Sequence, residues 1–183
     1  MPTVSIIVPC LNEEKTITRL LDALYLQTYP ISETEVIISD GNSQDRTLDK
    51  IREWHDAHPD LALQIVSNPK RIIPAALNSA LEASSGTYII RLDAHSIPAP
   101  DYVERCVRLL VEGKAENVGG RWEIQPGADT WVARSIANAA SSPLGAGDAK
   151  YRFSETASFV DTVPYGAYKK ETLTALGGYD ESL

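Results

Sequence analysis

The sequence predicts an α/β fold in which a mostly parallel β-sheet carries helices on both faces. Two observations support this prediction. Over the first 115 residues, short runs rich in β-branched residues alternate four times with segments of helical period. The first run, VSIIVP, is continuous rather than alternating, which is typical of a strand covered on both faces. A regular β-α alternation of this kind indicates a parallel sheet.

The first two strand–helix pairs follow from composition and spacing. Residues 4–9 form the first predicted strand, and apolar side chains then recur at helical spacing between residues 17 and 24. Asn12 is the expected N-cap of this helix, because two glutamates follow it where the helix dipole favours acids. Residues 35–39 form the second strand. The turn signal DGNSQD follows, and residues 45–57 form the second helix.

Two further pairs complete the alternation. Residues 61–67 form the third strand, and Pro74 is the expected first residue of the helix after it. Residues 87–92 form the fourth strand and residues 101–111 the fourth helix. Beyond residue 115 the regular alternation of strands and helices ends, but no clear second domain is indicated. One domain is therefore expected over residues 1–183. The elements predicted there are a strand or hairpin (117–126), a helix (130–140), a loop rich in small residues (142–158), a short strand (159–168) and a helix ended by glycines (169–178).

Charge and composition exclude some classes of function. The net charge is -8 and no dense Lys/Arg run is present, so nucleic-acid binding is not expected. No apolar stretch reaches the roughly 20 residues of a membrane span, and the N-terminus lacks the basic region of a secretory signal. Cys10 and Cys106 are isolated, which favours a reducing compartment.

Polar side chains collect where all four predicted strands end, in the segments PCLNEE, DGNSQD, NPKR and DAH. Ligands bind beyond the carboxyl ends of the strands in open parallel sheets. Asp93 and His95 are expected on one side of an extended segment, where a carboxylate and an imidazole can ligate one divalent cation. Such a cation can neutralise a diphosphate leaving group. Alternatively, Asp93 starts a turn and His95 is solvated.

The other strand ends leave similar alternatives open. Asn12 and Asp40 either hydrogen-bond a nucleobase or serve only as a helix cap and a turn residue. Lys70 and Arg71 either pair with phosphate or stay solvated. Asn78 lies in mid-helix, where asparagine is mildly unfavourable, and points either at the site or at water.

Four stretches together resemble a known family: SIIVPCLNEEKTITRLLDAL, EVIISDGNSQDRT, ALNSALEASSGTYIIRLDAH and VPYGAYKKETLTALGGYDESL. The chain is similar to family 2 glycosyltransferases of the GT-A fold, a Rossmann-like, mostly parallel sheet with helices on both faces. Within the family it looks like bacterial exopolysaccharide transferases of the succinoglycan type. The resemblance implies a nucleotide-binding half (1–115) and a partial acceptor-binding half (116–183).

The resemblance also implies an activity and its partners. The donor is a nucleotide-sugar, usually a UDP-sugar, and the cofactor is a divalent cation, Mn²⁺ or Mg²⁺. A hexosyl group is transferred with inversion to a saccharide or lipid-linked saccharide acceptor. The whole protein is expected to be membrane-associated, at the cytoplasmic face.

The resemblance implies roles for several residues. Asp93, Ala94 and His95 match the family's D-x-D, with His95 in place of the last acid, so the identity of the metal is the open question. Leu11 stands where many relatives have an aromatic residue. The residues matching segments that hold the nucleotide are Pro9, Cys10, Asn12, Glu13, Asp40, Arg71 and Asn78.

In relatives, a segment like GGYDE is followed by a Glu-Asp pair whose aspartate is the general base. Asp180 and Glu181 match the earlier segment, so the base is expected beyond Leu183 and the domain is expected to be truncated. A non-catalytic nucleotide-binding fragment and a sugar nucleotidyltransferase are the alternatives. The latter requires a glycine-rich loop after the first strand, where this chain has PCLNEE. The P-loop motif is absent.

Overall fold

The predicted alternation of strands and helices is confirmed. The computed structural model describes residues 3–142, 145, 147, 149–154 and 156–182. The first eight elements are β1 (Val4–Cys10), α1 (Ile17–Tyr25), β2 (Thr34–Asp40), α2 (Thr47–Ala57), β3 (Ala62–Ser67), α3 (Ile73–Ala83), β4 (Tyr88–Arg91) and α4 (Tyr102–Val111). They are followed by β5 (Asn117–Val118), α5 (Trp131–Ala140), β6 (Ala167–Lys169) and α6 (Lys170–Ala175), with short 3₁₀ turns at Ile31–Glu33 and Lys150–Arg152.

Within the described residues, six strands form one sheet in the order β3-β2-β1-β4-β6-β5. The first four run parallel, whereas β6 pairs antiparallel with both β4 and β5. The register aligns Cys10 with Asp40 and Asp40 with Ser67, so β1, β2 and β3 end level with one another. The polar segments after these strands are therefore brought to the same edge of the sheet.

Alternating strand residues supply two separate cores, one on each face of the sheet. Ile6 and Val8 pack with the apolar sides of α1, α2 and α4. Ile7 packs on the opposite face with α3, and Leu173 of α6 joins that cluster. Helices therefore cover both faces, as the uninterrupted apolar strands indicate.

Two local predictions were wrong, and two strands are shorter than predicted. Helix α1 begins at Ile17 with Thr16 as its N-cap, and Asn12 instead adopts a left-handed backbone with φ of 55°. Pro74 is the second rather than the first residue of α3. The segment 117–126, predicted as a strand or hairpin, forms a strand only over Asn117–Val118, and the strand predicted over 159–168 is observed only at Ala167–Lys169. The loop predicted over 142–158 lies partly outside the described residues.

The chain divides into two compact units, one made of Met1–Val118 with Tyr165–Leu183 and one made of Gly119–Pro164. In the second unit, the Trp122 backbone N–H donates to the Tyr151 carbonyl at 2.7 Å, and their rings meet edge-on at 5.4 Å. The predicted single domain with halves 1–115 and 116–183 stays a prediction.

No helix in the part of the chain that the structure describes combines the length and the apolar character needed to cross a membrane.

Candidate functional site

A cleft of about 230 Å³ opens at the carboxyl edge of the sheet. Each of the first four strands contributes to it, with Cys10 ending β1, Gly41 following β2, Asn68 following β3 and Asp93 following β4. The structure thus brings together distant parts of the sequence, as predicted from the strand ends. The predicted site residues that line the cleft are Pro9, Cys10, Glu13, Arg71, Asp93, Ala94 and His95.

Asp93 and His95 lie on a turn, so the prediction of an extended segment was wrong. The Ser96 backbone N–H donates to the Asp93 carbonyl at 2.9 Å, which closes the turn immediately after β4. Both side chains nevertheless line the cleft. The Asp93 carboxylate, 22% exposed, accepts hydrogen bonds from the Arg91 guanidinium at 3.1 and 3.3 Å. Arg91 therefore holds this carboxylate in one orientation.

His95 is more open to solvent. Its side chain is 58% exposed, and its Nδ1 lies 3.3 Å from Oε1 of Glu13. A carboxylate suits hard cations such as Mg²⁺ and Mn²⁺, and an imidazole beside it shifts the preference from Mg²⁺ towards Mn²⁺. No group of three or more His, Cys, Asp or Glu side chains is placed to hold a metal ion within residues 3–142 or the other described positions. Asp93 and His95 would supply two ligands to a bound cation, and phosphate and water would supply the others.

Asn12 and Asp40 lie beside the cleft and join two loops. The Asp40 carboxylate, in a residue only 6% exposed, accepts from the Ser43 N–H at 3.1 Å and from the Ser43 hydroxyl at 2.6 Å. The Asn12 N–H donates to the Ser43 hydroxyl at 2.9 Å, and the Asn12 Oδ1 accepts from the Gln44 N–H at 2.8 Å. These bonds give both residues a structural role, and their contact with a nucleobase stays a prediction.

The loop after β3 presents Arg71 in an unusual conformation. Arg71 has φ of 59°, in the left-handed region that non-glycine residues disfavour. Asn68, 4% exposed, supports it: its Oδ1 accepts from the Arg71 N–H at 3.2 Å, and its Nδ2 donates to the Ile72 carbonyl at 3.0 Å. The sequence analysis included Asn68 in the polar segment NPKR but assigned it no role of its own.

Asn78 is half-buried and does not line the cleft. Its Nδ2 donates to the Tyr179 carbonyl and to Glu181 Oε1, both at 2.9 Å, and its Oδ1 accepts from the Tyr179 N–H at 2.8 Å. Lys70 also bonds to Glu181. The hydrogen bond from Lys70, and to a smaller extent that from Asn78, holds the pKa of Glu181 below its ordinary value. Asn78 and Lys70 thus anchor the segment after Gly178.

An apolar wall completes the cleft, and most of it was missed in the sequence. Leu11, Ile72, Ile73 and Ala76 form this wall together with the Cys10 thiol. Burial, with a smaller contribution from Asp40, raises the pKa of Cys10 to about 12, so its thiol behaves as an apolar group at neutral pH. The signal available was the run RIIPAAL, which places two isoleucines at the start of α3.

The sheet order and the cleft at its carboxyl edge define a GT-A fold. The family model described as glycosyl transferase family 2 matches residues 5–176, and the chain belongs to this family.

Relatives agree with this assignment. The chain is 35% identical to the succinoglycan biosynthesis protein ExoA of Rhizobium meliloti (strain 1021), over 97% of this chain and 53% of that protein. It is 33% identical to the dolichyl N-acetyl-alpha-D-glucosaminyl phosphate 3-beta-D-2,3-diacetamido-2,3-dideoxy-beta-D-glucuronosyltransferase of Methanococcus voltae, over 92% of this chain and 53% of that protein.

Among solved structures, the mannosyltransferase PcManGT of Pyrobaculum calidifontis, in complex with GDP-Man and Mn²⁺, has a TM-score of 0.72. Its sequence identity is 30%, over 98% of this chain and 48% of that one. The chain therefore spans about half the length of the relatives that it matches.

Proposed function

We propose that this chain is the donor-binding part of an inverting glycosyltransferase, which moves a hexosyl group from a nucleotide-sugar to a saccharide or lipid-linked acceptor in polysaccharide biosynthesis. One observation carries the proposal: Arg71, Asp93 and His95 line one cleft at the carboxyl edge of the sheet. The succinoglycan protein and the mannosyltransferase bound to GDP-Man and Mn²⁺ support it.

The cleft residues suit a nucleoside diphosphate bound to a cation. The apolar wall of Leu11, Ile72 and Ile73 can receive a flat base, since apolar side chains dominate small-molecule sites. Arg71 supplies a guanidinium, which pairs with phosphate through several N–H donors. Asp93 and His95 would hold the cation. The bound cation would supply positive charge for the leaving diphosphate.

Nucleotide binding tests the proposal directly. Isothermal titration with UDP and with GDP, each with and without Mn²⁺, is expected to show binding that depends on the metal. Asp93→Asn and Arg71→Ala should both abolish or weaken it. The matched control is Asp56→Asn, which removes a carboxylate from the exposed side of α2, outside the cleft. Absence of binding by any nucleotide in the presence of Mn²⁺ would contradict the proposal.

Transfer itself is tested on the full-length protein, because this chain covers about half of its relatives. Release of a nucleoside diphosphate from a sugar donor, dependent on Mn²⁺ and on Asp93, is the expected result. Release of pyrophosphate would indicate a nucleotidyltransferase instead. The cytoplasmic location and the membrane association of the whole protein stay predictions.

A further inference from the structure

Glu13 lies against His95 on the rim of the cleft, although the two residues are 82 positions apart in the sequence. Oε1 of Glu13 is 3.3 Å from His95 Nδ1. We propose that Glu13 is a positioning residue, which keeps the proton of the neutral imidazole on Nδ1 and thereby leaves Nε2 free to bind the cation. This inference rests on the proposed function, because it assumes that His95 is a ligand.

The hydrogen bond at one ring nitrogen decides which tautomer a histidine adopts. A carboxylate accepts but cannot donate, so Glu13 selects the Nδ1–H form. Metal-binding histidines in proteins almost always donate their other N–H to such an acceptor. The His95 side chain is 58% exposed, so its pair with Glu13 adds little stability, and orientation is the effect to measure.

Glu13 is itself held firmly, as a positioning residue must be. Its second carboxylate oxygen, Oε2, is bonded by the Thr16 hydroxyl. Its backbone N–H donates to the Thr47 hydroxyl at 2.8 Å, and Thr47 is buried at the start of α2. Its side chain is 25% exposed. The carboxylate thus has one oxygen fixed by its own loop and the other directed at His95.

The departure from D-x-D gives this contact its significance. An aspartate at position 95 has no proton to offer Glu13, and the two carboxylates would repel each other. A histidine at this position can instead donate its N–H to the Glu13 carboxylate. The residues at positions 13 and 95 therefore form a chemically matched pair.

The tautomer can be measured without metal or nucleotide. Nitrogen-15 NMR of the His95 ring, at a pH where it is neutral, is expected to show the Nδ1–H form in the wild-type chain. Glu13→Ala should lose this preference, and Glu13→Gln should largely keep it because the amide oxygen still accepts. Glu14→Gln is the matched control. The Glu14 carboxylate accepts a hydrogen bond from the backbone N–H of Arg46, the residue before α2, rather than from His95. An unchanged tautomer in Glu13→Ala overturns the inference.

Mn²⁺ binding with UDP provides the second readout. Glu13→Ala is expected to weaken Mn²⁺ binding by about 10- to 100-fold, the usual effect of losing such a partner. Electron spin-echo spectra should show imidazole nitrogen coupled to Mn²⁺ in the wild type and not in His95→Ala. Retention of full coupling and affinity in Glu13→Ala contradicts the inference. Failure of the wild type to bind Mn²⁺ and UDP would instead overturn the proposed function. In that case the NMR measurement of the His95 tautomer would still show whether Glu13 orients the proton of the imidazole.

Discussion

The loop after β3 gives a prediction in which two nearby substitutions differ in their effect on stability. Asn68→Ala removes two side-chain hydrogen bonds, at 3.2 Å from the Arg71 N–H and at 3.0 Å to the Ile72 carbonyl. Each such bond contributes about 0.5–1.5 kcal/mol, so the free energy of unfolding should fall by about 1–3 kcal/mol. The melting temperature of a chain of this size should fall by about 2–4 °C for each kcal/mol.

Arg71→Gly should leave stability unchanged or slightly higher. Glycine removes the cost of the left-handed conformation, about 1–2 kcal/mol. It also raises the conformational entropy of the unfolded chain, which lowers the free energy of unfolding by about 0.4–1 kcal/mol. Both substitutions should weaken UDP binding, the first because Arg71 is no longer held and the second because the guanidinium is gone. Urea unfolding and isothermal titration measure these effects. If Arg71→Gly is as destabilising as Asn68→Ala, the loop does not store the strain described.

Three further predictions concern the rest of the first unit. Gly86→Ala should cost about 1–3 kcal/mol by overpacking, measured by urea unfolding, because its Cβ would lie 2.7 Å from the backbone N of Ser5. Burial opposes ionisation of Glu35, but hydrogen bonds, first that from the Ser5 hydroxyl, outweigh it and keep the pKa below its ordinary value. Its stabilising contribution is therefore complete above the unfolded pKa of about 4.3 and is lost as pH falls through the folded value, so acid should destabilise the wild type more than Glu35→Gln. Burial raises the pKa of Cys10 and of Cys106 to about 12, so iodoacetamide should label both far more slowly in the folded protein than in urea, and equal rates would contradict their burial.

The strands and the edge that carries the site could be predicted because their signals are local. A continuous β-branched run such as VSIIVP requires cover on both faces, and β1 is buried accordingly. Parallel strands that end level then place their following segments together. This is why the segments NPKR and DAH could be predicted to meet at one edge, and their residues Arg71 and Asp93 both line the cleft. The binding roles of these residues stay predictions.

The roles that failed or stayed open depend on partners remote in sequence. Asn12 is a residue type that often caps helices, but its Oδ1 accepts from the Gln44 N–H in the β2–α2 loop and its backbone is left-handed. The partner of Asn78 at Tyr179 lies 101 residues further along the chain, so no local pattern could indicate it. The Asp93–His95 turn depends on a hydrogen bond from Ser96, which a strand-like spacing does not reveal.

The pairing of β5 with β6 has a consequence for how such proteins can diversify. Val118 lies opposite Ala167, so the chain leaves the sheet and returns to it at neighbouring positions. Lengthening a connection between two fixed ends costs little, about 0.6 kcal/mol for each doubling. Replacing, extending or shortening the segment Gly119–Pro164 is therefore expected to leave the register of the strands on either side of it unchanged.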